Sequence, residues 1–196
     1  PCCAEFRQET HVIEQFARIP GEWKKYRAFD YGLDMFACLW IAQDFDGRSY
    51  VYREVQQSGL IVSEAAKLML SLTPDYEHIE FTIAPPDMWN RQKDSGRSMA
   101  ELYAENGVGL LRASNNRVQG WMALKEMLKP MRSDNDRPGL LVTRDCTGLI
   151  RNLPVIQHDA LRVQLHQPAD GGGVAHGAEQ IFSVQLFAVG DNRDLI

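Results

Sequence analysis

Residues 26–55, YRAFDYGLDMFACLWIAQDFDGRSYVYREV, hold three apolar runs so close together that only one kind of pairing can join them. The runs cover 26–30, roughly 35–43 and 48–55 and are rich in aromatic and β-branched residues, which suit strands. Gly32 breaks the first pair of runs and the Asp46-Gly47 turn in DFDGR breaks the second. A parallel crossover needs a dozen or more residues, and these links are far shorter, so the three runs predict an antiparallel meander.

Downstream the period changes. SEAAKLMLSL (63–72) has helical spacing with Ser63 as a candidate N-cap. HIEFTIAPPD (78–87) is a fourth strand running into Pro85-Pro86 and an acid, Asp87. SMAELYAENG (98–107) places Ser98 and Glu101 as a capping box and Gly107 at the stop. VGLLRA (108–113) reads as a short strand, RVQGWMALKEMLKP (117–130) as an amphipathic helix ended by Pro130, with Asn115 or Asn116 as its cap. RPGLLVTRDC (137–146) carries another short strand, and TGLIRNLPVI a brief helix. Strands separated by helices pair in parallel, so this order predicts an α/β chain: a mixed central sheet with helices on both faces, the ribonuclease H-like layout.

At 196 residues and 44% hydrophobic, the chain can bury one sizeable core. It holds no apolar run long enough to span a membrane, and PCCAEFRQET has no signal-peptide pattern. The absence of an initiating Met is expected of a fragment or a processed chain. Four cysteines without a CxxC pair fit a reducing compartment, Cys38 packing as a small hydrophobe. Five scattered histidines form no HExxH motif. The net charge of −5 argues against a general nucleic-acid coat but not against a nuclease, whose metal-binding acids themselves contribute negative charge. A GxxxxGK[ST] phosphate loop is lacking.

The acids carry the chemistry. Asp30 ends the first of the three runs and Asp87 follows the fourth strand, and the expected sheet sets those strand ends side by side. Two adjacent carboxylates repel one another unless a divalent cation lies between them, and oxygen ligands suit Mg²⁺ or Mn²⁺. Two such ions about 4 Å apart activate a water and stabilise the leaving oxygen in phosphodiester cleavage. Each aspartate alone would equally serve as a turn residue. NRQKDSGR (90–97) places Arg91, Lys93 and Arg97 just after the second acid, where they either track a phosphate backbone or form a solvated loop. Trp121, Leu124 and Leu128 share one helical face and are core, and Trp40 and Trp89 are core or site wall.

FDYG, PPDMWNR, SNNRVQGW and LIRNLPVIQHD, taken together from about Glu5 to Asp159, resemble the C-terminal nuclease domain of the large subunit of tailed-phage terminases. EFRQETHVIEQFARIPGEW is similar to the segment preceding that domain. The resemblance implies a ribonuclease H-like, two-metal endonuclease (Mg²⁺ or Mn²⁺) that cuts concatemeric double-stranded viral DNA during genome packaging in the cytoplasm of an infected bacterial host. It implies residues 1–25 as a lead-in to an ATPase domain not contained in this chain, residues 26–196 as the nuclease domain with a divergent tail, and the portal or small terminase subunit as further partners. On the same ground Asp30 matches the first metal aspartate and Asp87 the second acid, and Glu54 matches a recurring acid at the end of the third strand, where it either reaches the metal or only pairs with a basic neighbour. The family's ending has a histidine followed by an Asp in a DALRY-like helix. Here His176 and Glu179 fall almost at that spacing, with Glu for Asp, while DALR at Asp159 offers a rival third acid. An altered tail also leaves open a nuclease fold without activity that docks on DNA or a capsid portal. A related enzyme acting on branched DNA or RNA hybrids is a third possibility.

Overall fold

The computed structural model describes residues 3, 5–32, 35–113, 117–131 and 137–155. Seven strands form one sheet in the order β1-β7-β4-β3-β2-β5-β6. They are β1 (Val12–Ile13), β2 (Lys24–Tyr31), β3 (Phe36–Gln43), β4 (Ser49–Gln57), β5 (Phe81–Ala84), β6 (Leu110–Arg112) and β7 (Leu140–Thr143). The helices are α1 (Gln8–His11), α2 (Val62–Ser71), α3 (Met99–Glu105), α4 (Arg117–Met127) and α5 (Thr147–Asn152), with 3₁₀ turns at Pro86–Trp89 and Leu153–Val155. The expected meander is β2-β3-β4, antiparallel throughout, while β2–β5, β5–β6, β4–β7 and β1–β7 pair in parallel. Only β3 is reversed, so every other strand points its carboxyl end the same way.

Local chemistry explains the turns. In the β3–β4 hairpin, Asp44 Oδ1 accepts the backbone N–H groups of Asp46 and Arg48 at 3.0 and 2.9 Å. Gly47 takes the left-handed position at φ 82°, which a side chain would strain. The capping box of α3 is formed as expected: Glu101 N–H donates to Ser98 Oγ at 3.2 Å, and Ser98 N–H to Glu101 Oε2 at 2.8 Å. Helix α2 differs, because its N-cap is Ile61 and not Ser63. The Glu64 carboxylate accepts the Ile61 N–H at 3.1 Å, so an acid in the first turn does the work assigned to a hydroxyl.

Alternation along the strands sends side chains into two cores. Tyr26, Ala28, Leu39, Ile41, Val51 and Ile83 meet α4 and α5 through Leu124, Leu128 and Leu149. Phe29, Cys38, Trp40, Tyr52 and Ala84 meet α2 and α3 through Ala66, Met69 and Tyr103. Trp121 packs partly buried against the first core and Trp40 lies wholly within the second. Cys3, Cys38 and Cys146 are buried free thiols, and burial pushes the Cys146 thiol up to about 12. The lead-in contributes to both layers, Cys3 and Phe6 to the first and Ile19, Phe16 and Trp23 to the second. No helix among the described residues is long and apolar enough to cross a membrane.

Two polar contacts lock the layers. Arg53 grips Glu77 through two bonds of 2.9 Å, and the Tyr52 hydroxyl donates to the same carboxylate at 3.0 Å. The Glu77 side chain is only 2% exposed, so this pair ties the approach to β5 onto β4. Burial, then the Glu77 charge, push the Tyr52 phenol well above its ordinary range. On the other face, the Glu54 carboxylate of β4 accepts the Gly148 and Leu149 N–H groups at 2.6 and 2.8 Å and so caps α5. A Cβ on Gly148 would stand 2.7 Å from Glu54 Oε1 and 2.5 Å from Gln56 Nε2.

Replacing Glu77 by Ala strands a half-buried guanidinium, and urea denaturation is expected to show a loss of about 3 kcal/mol. Gly148→Ala crowds the Glu54 carboxylate and the Gln56 amide against the start of α5 and should cost about 1–3 kcal/mol by the same measurement; an unchanged midpoint would show that the two side chains move aside without loosening α5.

Candidate metal centre

Strands β2 and β5 lie side by side, with Ala28 opposite Ile83. Two residues on from Ala28 is Asp30, the penultimate residue of β2. Two residues on from Ile83 is Pro85, and Pro85-Pro86 turn the chain into the 3₁₀ segment that holds Asp87. The two prolines end the strand because they cannot donate to the ladder, and Pro86 sits at the first helical position, where no donor is required. Asp87 is therefore placed in a turn just beyond the strand end. The register thus leaves the two predicted acids at the same end of the sheet, by the carboxyl ends of adjacent parallel strands, the end at which α/β sheets present their ligand-binding crevices. Asp87 is exposed and Asp30 half-buried.

Asp30 acts electrostatically on what lies beneath it. The Tyr103 phenol of α3 is pushed far above its ordinary range, chiefly by burial, then by Tyr31, Cys38 and the Asp30 carboxylate. The Tyr103 ring packs at 4.9 Å from Phe29 and at 5.9 Å from Tyr31, so α3 backs the strand that carries the first acid.

Glu54 is set elsewhere. Across the sheet Asp30 is level with Ala37 and Gln56, whereas Glu54 is level with Leu39 and Ala28, one row further from the strand end. Both of its oxygens are engaged by the α5 backbone. Burial raises its pKa, with the Leu149 and Gly148 N–H groups opposing that rise.

The basic loop after Asp87 is itself a folded turn. Arg91 and Ser98 form an antiparallel bridge, and Gln92 N–H donates to the Arg97 carbonyl at 2.9 Å. Arg91 Nη1 donates to the Gly96 carbonyl at 3.1 Å, Arg97 pairs with Glu105, and Lys93 stays exposed. Arg112, a cation the sequence did not single out, ends β6 opposite Ala84 and lies over the Trp89 ring. A cation closing a strand next to the acid-bearing strand was the available signal, but it gains meaning only once β6 is known to pair with β5.

The donor set is right in kind for a hard divalent cation, being carboxylate oxygen at two positions. Among the described residues, no three His, Cys, Asp or Glu side chains group closely enough to hold a metal. Asp159, His176 and Glu179, the candidates for completing the set, lie outside the described residues, as do Asn115 and Asn116.

No protein-family model and no curated protein sequence matches the chain. Solved structures do. The nuclease domain of the P22 large terminase matches with a TM-score of 0.60 at 19% identity, over 76% of each chain. The large terminase nuclease of the thermophilic phage G20c gives 0.57 at 13% identity, covering 97% of this chain and 98% of that one. The same nuclease with bound magnesium gives 0.56 at 14%, over 93% and 94%. A large terminase from another thermophilic bacteriophage gives 0.60 at 16% identity, with 78% of this chain matching 36% of that one, so the present chain spans well under half of that protein. What these likenesses establish is the architecture: the chain has the ribonuclease H-like α/β fold of the large-terminase nuclease domains.

Proposed function

We propose that this chain is the nuclease module of a terminase large subunit, a divalent-metal-dependent endonuclease that hydrolyses phosphodiester bonds of double-stranded viral DNA during packaging. The observation that carries this reading is the parallel pairing of β2 with β5, which leaves Asp30 and the Asp87 turn at the same end of adjacent strands. Its support is the fold shared with nuclease domains, one of them solved with magnesium.

In this reading Asp30 and Asp87 are the metal ligands contributed by the sheet, and Glu179 is the third, beside His176, with Asp159 as its rival. A bound pair of Mg²⁺ or Mn²⁺ ions supplies an activated water and stabilises the charge on the leaving oxygen. The chain's own contribution is position. Asp30 is fixed by pairing on both sides, to β3 and β5, and Asp87 by the rigid Pro85-Pro86 entry to its turn. Glu54 acts through the backbone, holding α5 against β4. Arg91, Lys93 and Arg97 lie next along the chain after Asp87 and would offer cations to the phosphates of bound DNA. The further partners in this reading are an ATPase domain preceding the lead-in and the portal or small terminase subunit, and the compartment is the cytoplasm of the infected host.

Nicking of supercoiled plasmid in Mn²⁺ tests the assignment. Wild-type protein is expected to nick, EDTA to stop it, and Asp30→Ala or Asp87→Ala each to slow it by about a hundredfold or more, since loss even of groups that only support metal ligands costs about 10–100-fold. Equal nicking by wild type and Asp30→Ala would remove Asp30 from the site. A folded wild-type protein that nicks nothing would leave the fold as a docking module.

A further inference from the structure

Arg112 closes β6, the strand paired with β5 on its open side. It stands opposite Ala84, and the Ala113 N–H donates to the Ala84 carbonyl at 3.0 Å, so the backbone on both sides of this position is set. Ala84 is three residues before Asp87. Arg112 is therefore held beside the turn that carries the second acid, at the same end of the sheet as Asp30.

Its side chain follows the strand alternation. Leu110, two residues earlier, packs with the α2–α3 core, and so does Trp89. The Arg112 guanidinium carbon lies 5.9 Å from the centre of the Trp89 ring, within cation–π range. Trp89 belongs to the same 3₁₀ turn as Asp87, so the guanidinium is carried on the element that carries the acid.

Charge separates Arg112 from its neighbours. Arg97 is partnered by Glu105, and Arg91 donates to a carbonyl of its own loop. Among the described residues, Arg112 is exposed and lies within ion-pair distance of no carboxylate. A contact with an aromatic face at an exposed site is weak but directional. That is enough to narrow the guanidinium's positions, yet it neutralises nothing. An ordered, uncompensated guanidinium beside a phosphodiester-cleaving site is matched by one ligand chemistry, a phosphate oxygen presented by a DNA backbone.

We propose that Arg112, on the Trp89 ring, is a phosphate-binding residue that seats one strand of a DNA duplex against the Asp87 turn. The assignment rests on the nuclease reading above. Arg112 touches a phosphate outside the reacting group, so it acts on substrate binding and register more than on the chemical step. Lysine at this position keeps the charge but not the planar stack.

The test measures affinity for a short DNA duplex against salt concentration, with Ca²⁺ replacing the catalytic metal, together with Mn²⁺-dependent nicking. Losing one phosphate contact is expected to weaken binding about fivefold near physiological salt and to lower the slope of log K against log salt by about 0.9. Arg112→Ala should show both, raise KM more than it lowers kcat, and lower the thermal midpoint by no more than about 4 °C, since only an exposed contact with the Trp89 ring is lost. Arg112→Lys should recover the slope. Arg137→Ala, an equal loss of charge at the amino end of β7, should keep the wild-type slope. A wild-type slope for Arg112→Ala, or an equal fall for Arg137→Ala, overturns the assignment while leaving the nuclease reading intact. A wild-type protein that neither binds nor nicks DNA overturns both.

Discussion

Parallel pairing of β2 with β5 is the constraint on which the arrangement turns. Two strands can run side by side in the same direction only if the chain between them returns to its starting end. Here that return uses β3, β4 and α2, and it fixes two consequences at once. The polypeptide leaves β2 and β5 at the same end, carrying Asp30 and Asp87 there together. The returning elements also give β2 a strand neighbour and a helix on one face, and the later α4 and α5 cover the other, so Asp30 is held by a strand that cannot shift alone.

Carboxylates are used in three ways in this molecule, and their surroundings say which is which. Glu77 is buried and answered by a guanidinium and a phenol, so its charge is spent within the fold. Glu54 is answered by two backbone N–H groups and closes the start of a helix. Asp30 and Asp87 stand at the carboxyl end of the sheet, half-buried and exposed. The same side-chain type thus fastens two layers, caps a helix or stands at the sheet end, according to where the fold places it.

Features set by near neighbours in the chain were legible beforehand. The meander follows from apolar runs joined by short turns, Gly47 from an Asp-Gly signal, and the α3 cap from Ser98 and Glu101 three residues apart. The parallel pairing of β2 with β5, which leaves Asp30 and the Asp87 turn at the same end of the sheet, was also legible, because it needs only the strand order. Contacts between distant segments were not. Glu54 meets residues more than ninety positions away, and no local pattern reveals that its partners are backbone N–H groups. The partnering of Arg97 with Glu105 and the seat of Arg112 on Trp89 depend likewise on how α3 and β6 settle against the 3₁₀ turn. At α2 the local signal misled, since Ser63 and Glu64 are both plausible first-turn residues and the longer acid reached the Ile61 N–H.

The two residues of β1 have an importance out of proportion to their number. Val12 and Ile13 pair with Val142 and Thr143, and β7 is buried along its whole length. Without that cover, β7 would present a bare row of backbone donors and acceptors beside an apolar surface, the condition under which sheets recruit strands from other molecules. The lead-in thus covers an edge that would otherwise be open, and a shortened protein begun at β2 would expose β7 to pairing with other strands.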